Sequence, residues 1–130
     1  LGTMPRETFF PNPANKPSGF SPITKFGKLL FVSGQVPVNS KGDLVGEDDC
    51  YLQAKQCFLN IESALDSVGA TNDDIVKITA FIVRPEDYSK YATQRLELFP
   101  EDGPASSTVF ISGLVSPKFL IEIEAIAVLE

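Results

Sequence analysis

The sequence predicts an α+β fold, in which a mixed sheet packs on two helices within a single domain spanning residues 1–130. Three observations predict it. Apolar residues recur at helical spacing in two segments, four other segments are rich in β-forming residues, and turn-forming residues separate them. A length of 130 residues is also typical of one domain with one hydrophobic core.

The chain is acidic, with 17 acidic and 11 basic residues and a formal net charge of −6. An acidic field repels phosphates, so nucleic acid is not expected as a partner. The longest apolar run, residues 29–32, is too short to cross a bilayer, and the first residues have no signal-peptide pattern. We therefore expect a cytoplasmic protein without membrane contact. Residues 1–3 are interpreted as an addition ahead of a native start at Met4.

The chain has no histidine and two cysteines, Cys50 and Cys57. Seven residues apart in a predicted helix, the cysteines would lie about 10 Å from each other, beyond the reach of a disulfide. We interpret both as small buried apolar residues. The absence of histidine excludes nucleophiles activated by an imidazole and removes the commonest metal ligand. Carboxylates, hydroxyls, backbone amides and bound water remain for any chemistry.

Proline and glycine divide the first half of the chain. Four prolines among residues 11–22 predict an irregular loop. Residues 29–34 form an apolar, β-rich run that ends at glycine, and residues 39–43 supply turn chemistry, so a buried strand and a turn are predicted. Between residues 49 and 68 apolar residues recur every three or four positions, which predicts the first helix. Its expected N-cap is Asp48 or Asp49, and Gly69 is expected to follow its last turn.

The second half of the chain predicts three further strands and a second helix. Residues 75–83 are rich in β-branched residues on both faces, as in a central strand that is covered on two sides. Pro85 then opens the second helix. The predicted apolar stripe of this helix comprises Tyr88, Ala92, Leu96 and Phe99. Residues 107–112 and 119–129 are predicted as the last two strands.

The last predicted strand has apolar side chains on both faces. One face carries Phe119, Ile121, Ile123, Ala125, Ala127 and Leu129, and the other carries Leu120, Glu122, Glu124, Ile126 and Val128. Two helices can cover one face of a sheet of four to six strands but not both faces. We therefore expect an oligomer whose sheets face one another. The alternative is a monomer with a modest exposed apolar patch.

A set of segments spread from about residue 20 to residue 129 matches one known family in order and spacing. The segments are Phe31-Val32-Ser33-Gly34-Gln35-Val36-Pro37, Gln53-Ala54, Asn60-Ile61, Asp74-Ile75-Val76-Lys77 and Glu122-Ile123-Glu124-Ala125-Ile126-Ala127. Together they resemble the RidA/YjgF family of enamine/imine deaminases, also called the endoribonuclease L-PSP family. The resemblance implies a chorismate-mutase-like fold. It also implies a homotrimer, in which the sheets form an inner barrel and three clefts lie between subunits.

The resemblance implies an activity, the hydrolysis of small imines to 2-keto acids and ammonia, without a metal or an organic cofactor. The implied catalytic residue is Glu122, whose carboxylate would position water and exchange a proton. The implied substrate-binding residues are Phe20, Ser33, Gly34, Ser106 and Thr108. Apolar neighbours on the strand favour a raised pKa for Glu122, whereas the alternative interpretation is an ordinary polar position at a strand rim.

The chain departs from the family pattern at Ser106, where the family usually has an arginine that grips the substrate carboxylate. A charge-assisted hydrogen bond contributes about 1.5 to 3 kcal/mol and a neutral one about 1 kcal/mol. We therefore expect carboxylate binding to be roughly ten- to a hundredfold weaker and turnover of 2-aminoacrylate-type acids to be low. Ala92 stands where the family often has asparagine, and Arg95 is interpreted as an exposed residue of the second helix. Ser106 and its neighbours could instead form a neutral pocket.

Two other classes of function remain open at this point. The first is a noncatalytic trimer that senses a ligand or acts as a chaperone. The second is the ribonuclease activity implied by the family's other name. Without histidine and with an acidic net charge, the chain offers neither obvious general-base chemistry nor attraction for a phosphate backbone. We rank the ribonuclease last.

Overall fold

The fold is a six-stranded mixed sheet with two α-helices on one face, in a computed structural model that describes residues 6–130. The strands are β1 (Glu7–Phe9), β2 (Ile23–Phe26), β3 (Leu29–Gln35), β4 (Ile75–Ile82), β5 (Ala105–Phe110) and β6 (Ile121–Val128), and the helices are α1 (Cys50–Asp66) and α2 (Tyr88–Leu98). The start proposed at Met4 lies outside the described residues. Within residues 6–130, neither helix has the length and apolarity needed to cross a membrane.

The strands are ordered β1-β2-β3-β6-β4-β5 across the sheet. All neighbouring pairs are antiparallel except β4 and β5, which are parallel. A parallel pair needs a crossover connection, and α2 supplies it between these two strands. The last strand of the chain therefore lies at the centre of the sheet, and β5 lies at its edge. The predicted α+β architecture is confirmed.

The hydrophobic core lies between the two helices and the sheet face that they cover, which we call the helix face. On β6, the central strand, this face carries the buried residues Ile121, Ile123, Ala125 and Ala127. Residues of α1 that pack in the same core include Ala54, Cys57, Phe58, Ile61 and Leu65. The predicted alternation along the last strand is thus confirmed. Apolar burial at about 25 cal/mol per Å² makes this layer the main source of stability.

The first helix begins at its predicted cap. The Asp49 carboxylate accepts a hydrogen bond from the Leu52 amide at 3.2 Å. The helix ends at Asp66, two residues before the predicted end, because residues 67–69 form a turn in which Gly69 has a φ of +81°. Cys50 and Cys57 are buried and unpaired, as predicted. Burial raises the pKa of the Cys50 thiol to about 12, so it does not act as a nucleophile near neutral pH.

The apolar stripe predicted for the second helix is wrong. α2 packs on α1 through Tyr91, whose ring stacks on that of Phe58 with centroids 6.2 Å apart, and Gln94 is buried beside it. Leu96, a member of the predicted stripe, is 61% exposed. Phe99, at the other end of the predicted stripe, does pack against the core, edge-on to Phe58 with ring centroids 6.3 Å apart. The four predicted residues therefore do not form one buried face. Two short strands, β1 and β2, were also missed, because three or four residues beside a proline-rich loop give too little alternation to identify a strand.

The second face of the sheet is not covered by the chain itself, and we call it the open face. The register places Phe26, Phe31, Phe81, Val109, Glu122 and Ile126 on it. Phe26 is 55% exposed, Phe31 44% and Val109 42%. The prediction that β4 is covered on two sides does not hold within one chain, because its open face carries the partly exposed Phe81. Contiguous exposed apolar patches are typical of interaction surfaces.

The Gln53 side chain of α1 forms buried hydrogen bonds with backbone groups outside the helix, and their contribution to stability can be tested. The side chain is fully buried, donates to the carbonyls of Gly46 and Lys118 at 3.0 Å, and accepts from the Leu120 amide at 2.8 Å. Gln53→Met keeps the volume but leaves three buried backbone groups without partners. We expect it to lower the free energy of unfolding by about 2 to 4 kcal/mol.

Urea denaturation at one protein concentration measures this change. The matched control is Lys55→Met, which replaces an exposed residue of the same helix. A loss in Gln53→Met no larger than in the control would show that these three hydrogen bonds contribute nothing net.

Candidate functional site

The catalytic candidate Glu122 lies against an irregularity in the neighbouring strand. The register of β3 on β6 shifts between Val32 and Gln35, so that Ser33 and Gly34 lie in a bulge. A side chain at Gly34 would collide with the Glu122 carboxylate. The bulge thus brings backbone close to this carboxylate, which requires glycine at position 34. Gly34 and Glu122, predicted as site residues from distant parts of the sequence, are brought together.

The Glu122 carboxyl group is half-buried, and its surroundings disfavour the charged form. Desolvation by burial raises its pKa above the usual range, and repulsion from Glu124 raises it further. Glu124 lies two residues along on the same face of β6. The direction agrees with the expectation from the sequence. A carboxyl group of this kind exchanges protons closer to neutral pH than an exposed one, as acid and base catalysis requires.

Phe20 and Ser33 border one cavity beside this bulge. The cavity has a volume of about 430 Å³, and it is lined by Arg6, Thr8, Gly19, Phe20, Ser21, Thr24 and Ser33. The Ser33 hydroxyl donates to the Ser21 carbonyl at 2.6 Å, which fixes the proline-rich loop on β3. Phe20 is 60% exposed and projects from this loop. We call Phe20, Ser33, Gly34 and Glu122 the Glu122 group.

The remaining predicted residues, Ser106 and Thr108, lie elsewhere on the sheet. They belong to the edge strand β5, where they pair with Ile78 and Ala80 on the helix face. Glu122 pairs with Phe81 on the open face. Because side chains alternate between faces, one chain cannot bring Ser106 and Thr108 to the Glu122 carboxylate. The predicted site is therefore divided into two parts on opposite faces of the sheet.

The sequence predicted Arg95 to be an exposed residue of the second helix without a structural role, and the structure shows otherwise. Its guanidinium donates from Nη1 to the Ser106 hydroxyl at 3.3 Å and from Nη2 to the Tyr88 hydroxyl at 3.1 Å. It also lies over the Tyr91 ring, 5.1 Å from the centroid. The earlier interpretation is wrong because α2 runs beside β5, a tertiary contact that helical spacing does not reveal.

A second cavity, of about 390 Å³, opens beside this guanidinium, and we call it the α2–β5 cavity. It is lined by Ala92, Arg95, Leu96, Phe99, Gly103, Pro104 and Ser106. It therefore contains both positions at which the sequence departs from the family pattern, Ala92 and Ser106. One feature of the sequence could have indicated that Arg95 lies at this cavity: Arg95 follows Ala92 by three residues, which places both on the same face of a helix.

A third cavity, of about 610 Å³, is bordered by the acidic residues Asp73, Glu101 and Asp102 and contains none of the predicted site residues. In the part of the chain from residue 6 onward, no three or more histidine, cysteine, aspartate or glutamate side chains are grouped to hold a metal ion.

Comparison with known proteins places this fold and these residues in one family. The family model described as Endoribonuclease L-PSP matches residues 12–129. A RutC family protein of Pyrococcus abyssi is 36% identical over 95% of this chain and 98% of its own length. The 3-aminoacrylate deaminase RutC of Acinetobacter baylyi is 31% identical over 95% of this chain and 98% of its own.

The solved structures agree with this result. The crystal structure of the YjgF gene product of E. coli superposes with a TM-score of 0.83, at 30% identity, over 94% of this chain and 98% of that one. The fold is thus that of a YjgF-type α+β protein. The chain belongs to the endoribonuclease L-PSP family, which is the RidA/YjgF family that the sequence resembled.

The raised pKa of Glu122 leads to a prediction about stability. A carboxyl group with a raised pKa in the folded state holds its proton more tightly there than in the unfolded state. Its stabilising contribution is present at low pH and is lost as the pH rises through the folded-state pKa. We therefore expect Glu122→Gln to be more stable than wild type at pH 7, and the difference to shrink as the pH falls toward the ordinary glutamate range.

Urea denaturation of both proteins between about pH 4 and pH 7 measures this difference. Glu101→Gln, which removes one exposed carboxylate, gives the baseline for the loss of an acidic charge. A wild type that gains stability relative to Glu122→Gln as the pH rises would contradict the assigned direction.

Proposed function

We propose that this protein binds a small molecule in clefts between subunits and hydrolyses the C=N bond of imines, including those formed from enamines, with release of ammonia. The observation that carries the proposal is the position of Glu122, whose half-buried carboxyl group lies against Gly34 and has a raised pKa. The similarity to a protein named 3-aminoacrylate deaminase supports this class of reaction. The description of the matching family, endoribonuclease, refers to a different chemistry, the cleavage of RNA.

In this proposal, Glu122 acts first as an acid and then as a base. The protonated carboxyl group donates to the imine nitrogen, which makes the carbon more electrophilic. The carboxylate then takes a proton from a water molecule as the water oxygen bonds to that carbon. Return of this proton to nitrogen makes ammonia the leaving group. As the C–N bond breaks, the Glu122 carboxylate takes the remaining hydroxyl proton, so that imine and water become a carbonyl compound and ammonia and the carboxyl group is protonated again. The raised pKa of the Glu122 carboxyl group favours both roles, because the group holds its proton more readily than an exposed glutamate does.

The complete site in this proposal requires more than one subunit. The Glu122 group lies on the open face, whereas Ser106 and Thr108 lie on the helix face of an edge strand. The exposed apolar residues of the open face favour contact between the sheets of different copies. A homotrimer in which the sheets form an inner barrel would cover this face. It would also allow β5 of one subunit to face the Glu122 group of the next.

The substrate set is proposed to differ from that expected for an arginine at position 106. Ser106 presents a neutral hydroxyl, and the nearby guanidinium of Arg95 is held by α2 instead of projecting from β5. A cation in a different position favours a substrate of different shape. We therefore expect slow turnover of 2-aminoacrylate itself.

A noncatalytic trimer that binds a ligand or acts as a chaperone is a second candidate. The observation that favours it is the apolar surface of α2, where Leu96 is largely exposed beside the α2–β5 cavity. In that case, replacing Glu122 would alter binding and no turnover would exist. Ribonuclease activity remains third, because the chain carries a net charge of −6 and has no histidine.

Sedimentation equilibrium tests the proposed assembly. We expect a single species of three times the 14.1 kDa chain mass at micromolar concentration. Phe31→Glu should dissociate it, because Phe31 lies on the open face and a charge there would be buried against another subunit. Leu59→Glu, an equally exposed apolar residue of α1, is the control and should not change the mass. A wild type of 14 kDa would contradict the assembly.

Ammonia and keto-acid release from a panel of freshly generated imines tests the reaction. We expect Glu122→Gln to lower kcat by roughly a hundredfold or more, because glutamine cannot exchange a proton, while the oligomer remains intact. Glu124→Gln keeps Glu122 and removes its neighbour on the same face, so it should retain most activity. Ser106→Arg should raise activity on 2-aminoacrylate.

Two results would decide against the proposal. Absence of turnover across the panel by wild type would exclude hydrolysis of these imines and favour the noncatalytic candidate. Equal turnover by wild type and Glu122→Gln would remove Glu122 from the mechanism.

A further inference from the structure

The Arg95 guanidinium has only neutral partners among residues 6–130. Every ion pair in that part of the chain joins Arg84 or Lys90 to an aspartate. Arg95 instead contacts two tyrosines and a serine. These groups orient the cation without neutralising it. A half-buried guanidinium whose charge is uncompensated attracts an anion more strongly than a solvated one, because less water screens the charge.

The known hydrogen bonds of Arg95 do not occupy all its donors. A guanidinium carries five N–H groups, and Arg95 uses one on Ser106 and one on Tyr88. Further N–H groups are therefore available to a ligand. A planar guanidinium can bind the two oxygens of a carboxylate through two N–H groups. The stacking against Tyr91 and Tyr88 holds the plane of the guanidinium in place before a ligand arrives.

The surroundings of the guanidinium suit a small organic anion. Arg95 lines the α2–β5 cavity of about 390 Å³, whose other walls include Ala92, Leu96, Phe99 and Pro104. These side chains are apolar or small and bring no competing negative charge. Apolar walls exclude water from the ligand and strengthen a charge-assisted hydrogen bond. An anion with a hydrocarbon part fits these walls better than inorganic phosphate does.

We propose that Arg95 is the residue that binds the substrate carboxylate, reaching from α2 to the place on β5 where Ser106 stands. This inference rests on the proposed function and specifies its substrate class as imino or enamino acids, in contrast to neutral imines. Ser106 and Tyr88 are positioning residues that orient the guanidinium. The neutral pocket considered from the sequence is replaced by a cationic one, because the positive charge comes from a different element of the fold.

The first experiment measures binding of pyruvate, the keto-acid product expected from 2-aminoacrylate, with pyruvamide as its neutral counterpart. The chain has three arginines, Arg6, Arg84 and Arg95, so three Nε–Hε signals are expected in an NMR spectrum of the oligomer. Arg95→Lys assigns one of them. We expect millimolar pyruvate to shift the Arg95 signal and leave the Arg84 signal in place. Pyruvamide should shift neither.

Variants separate carboxylate binding from a purely structural role of Arg95. Arg95→Gln should weaken pyruvate binding about tenfold or more and raise KM for imino acids, with a smaller change in kcat. Lys41→Gln removes the same charge from an exposed turn and should leave both unchanged. The double variant Arg95→Gln with Ser106→Arg should recover pyruvate binding, since it restores a guanidinium at the same cavity.

The outcomes for the inference and for the reaction are distinguishable. Pyruvate that binds equally to wild type and Arg95→Gln, or that does not bind wild type at all, overturns the inference. Imine turnover with the KM unchanged in Arg95→Gln also overturns it, and the proposed reaction stands. Pyruvate binding that depends on Arg95, in a protein that releases no ammonia from any imine, supports the inference and rejects the reaction.

Discussion

The rest of the structure depends on the alternation of side chains along β6. This strand lies between β3 and β4 at the centre of the sheet. The side chains on its helix face, Ile121, Ile123, Ala125 and Ala127, are all buried in the core. A slip of one residue would place Glu122 and Glu124 under the helices, where two unpaired carboxylates would be strongly destabilising. Burial of one face therefore fixes the position of the carboxylate on the other.

The site elements on the open face follow from this fixed register. With β6 held in place, the bulge at Ser33 and Gly34 can bring backbone beside the Glu122 carboxyl group. The same carboxyl group is partly desolvated and faces another negative charge, so its protonation is tied to the packing of the sheet. The burial that makes the Glu122 charge costly also raises the pKa of its carboxyl group, and the proposed acid and base roles of Glu122 depend on that shift.

The two faces of the sheet also explain why the site is divided. The parallel pairing of β5 on β4 leaves β5 at the edge, next to α2, where Ser106 and Arg95 meet. The Glu122 group lies across the sheet. A protein that uses both parts must bring a second copy to the first, and its uncovered apolar face supplies a driving force for that association. In the proposed trimer, one contact between subunits would cover the open face and would also complete the site.

The sequence by itself determined the class of fold, the two helices, the four longer strands, the burial of both cysteines and the face of β6 on which Glu122 lies. It could do so because these features depend on periodicity over many residues, which local side-chain patterns record. The family followed from the same segments, in order along nearly the whole chain. Strands β1 and β2 escaped prediction because they are too short to show a period.

Only the tertiary structure decided which residues meet across the sheet. The contact of Arg95 with Ser106 joins a helix and a strand whose packing no local pattern encodes, and it reversed the interpretation of Arg95. The stripe predicted on α2 failed for a related reason, since Tyr91 is the helix residue that stacks on Phe58 while Leu96 is exposed. Helical spacing says which residues share a face, but the docking of one element on another decides which face is buried and which residues form a site.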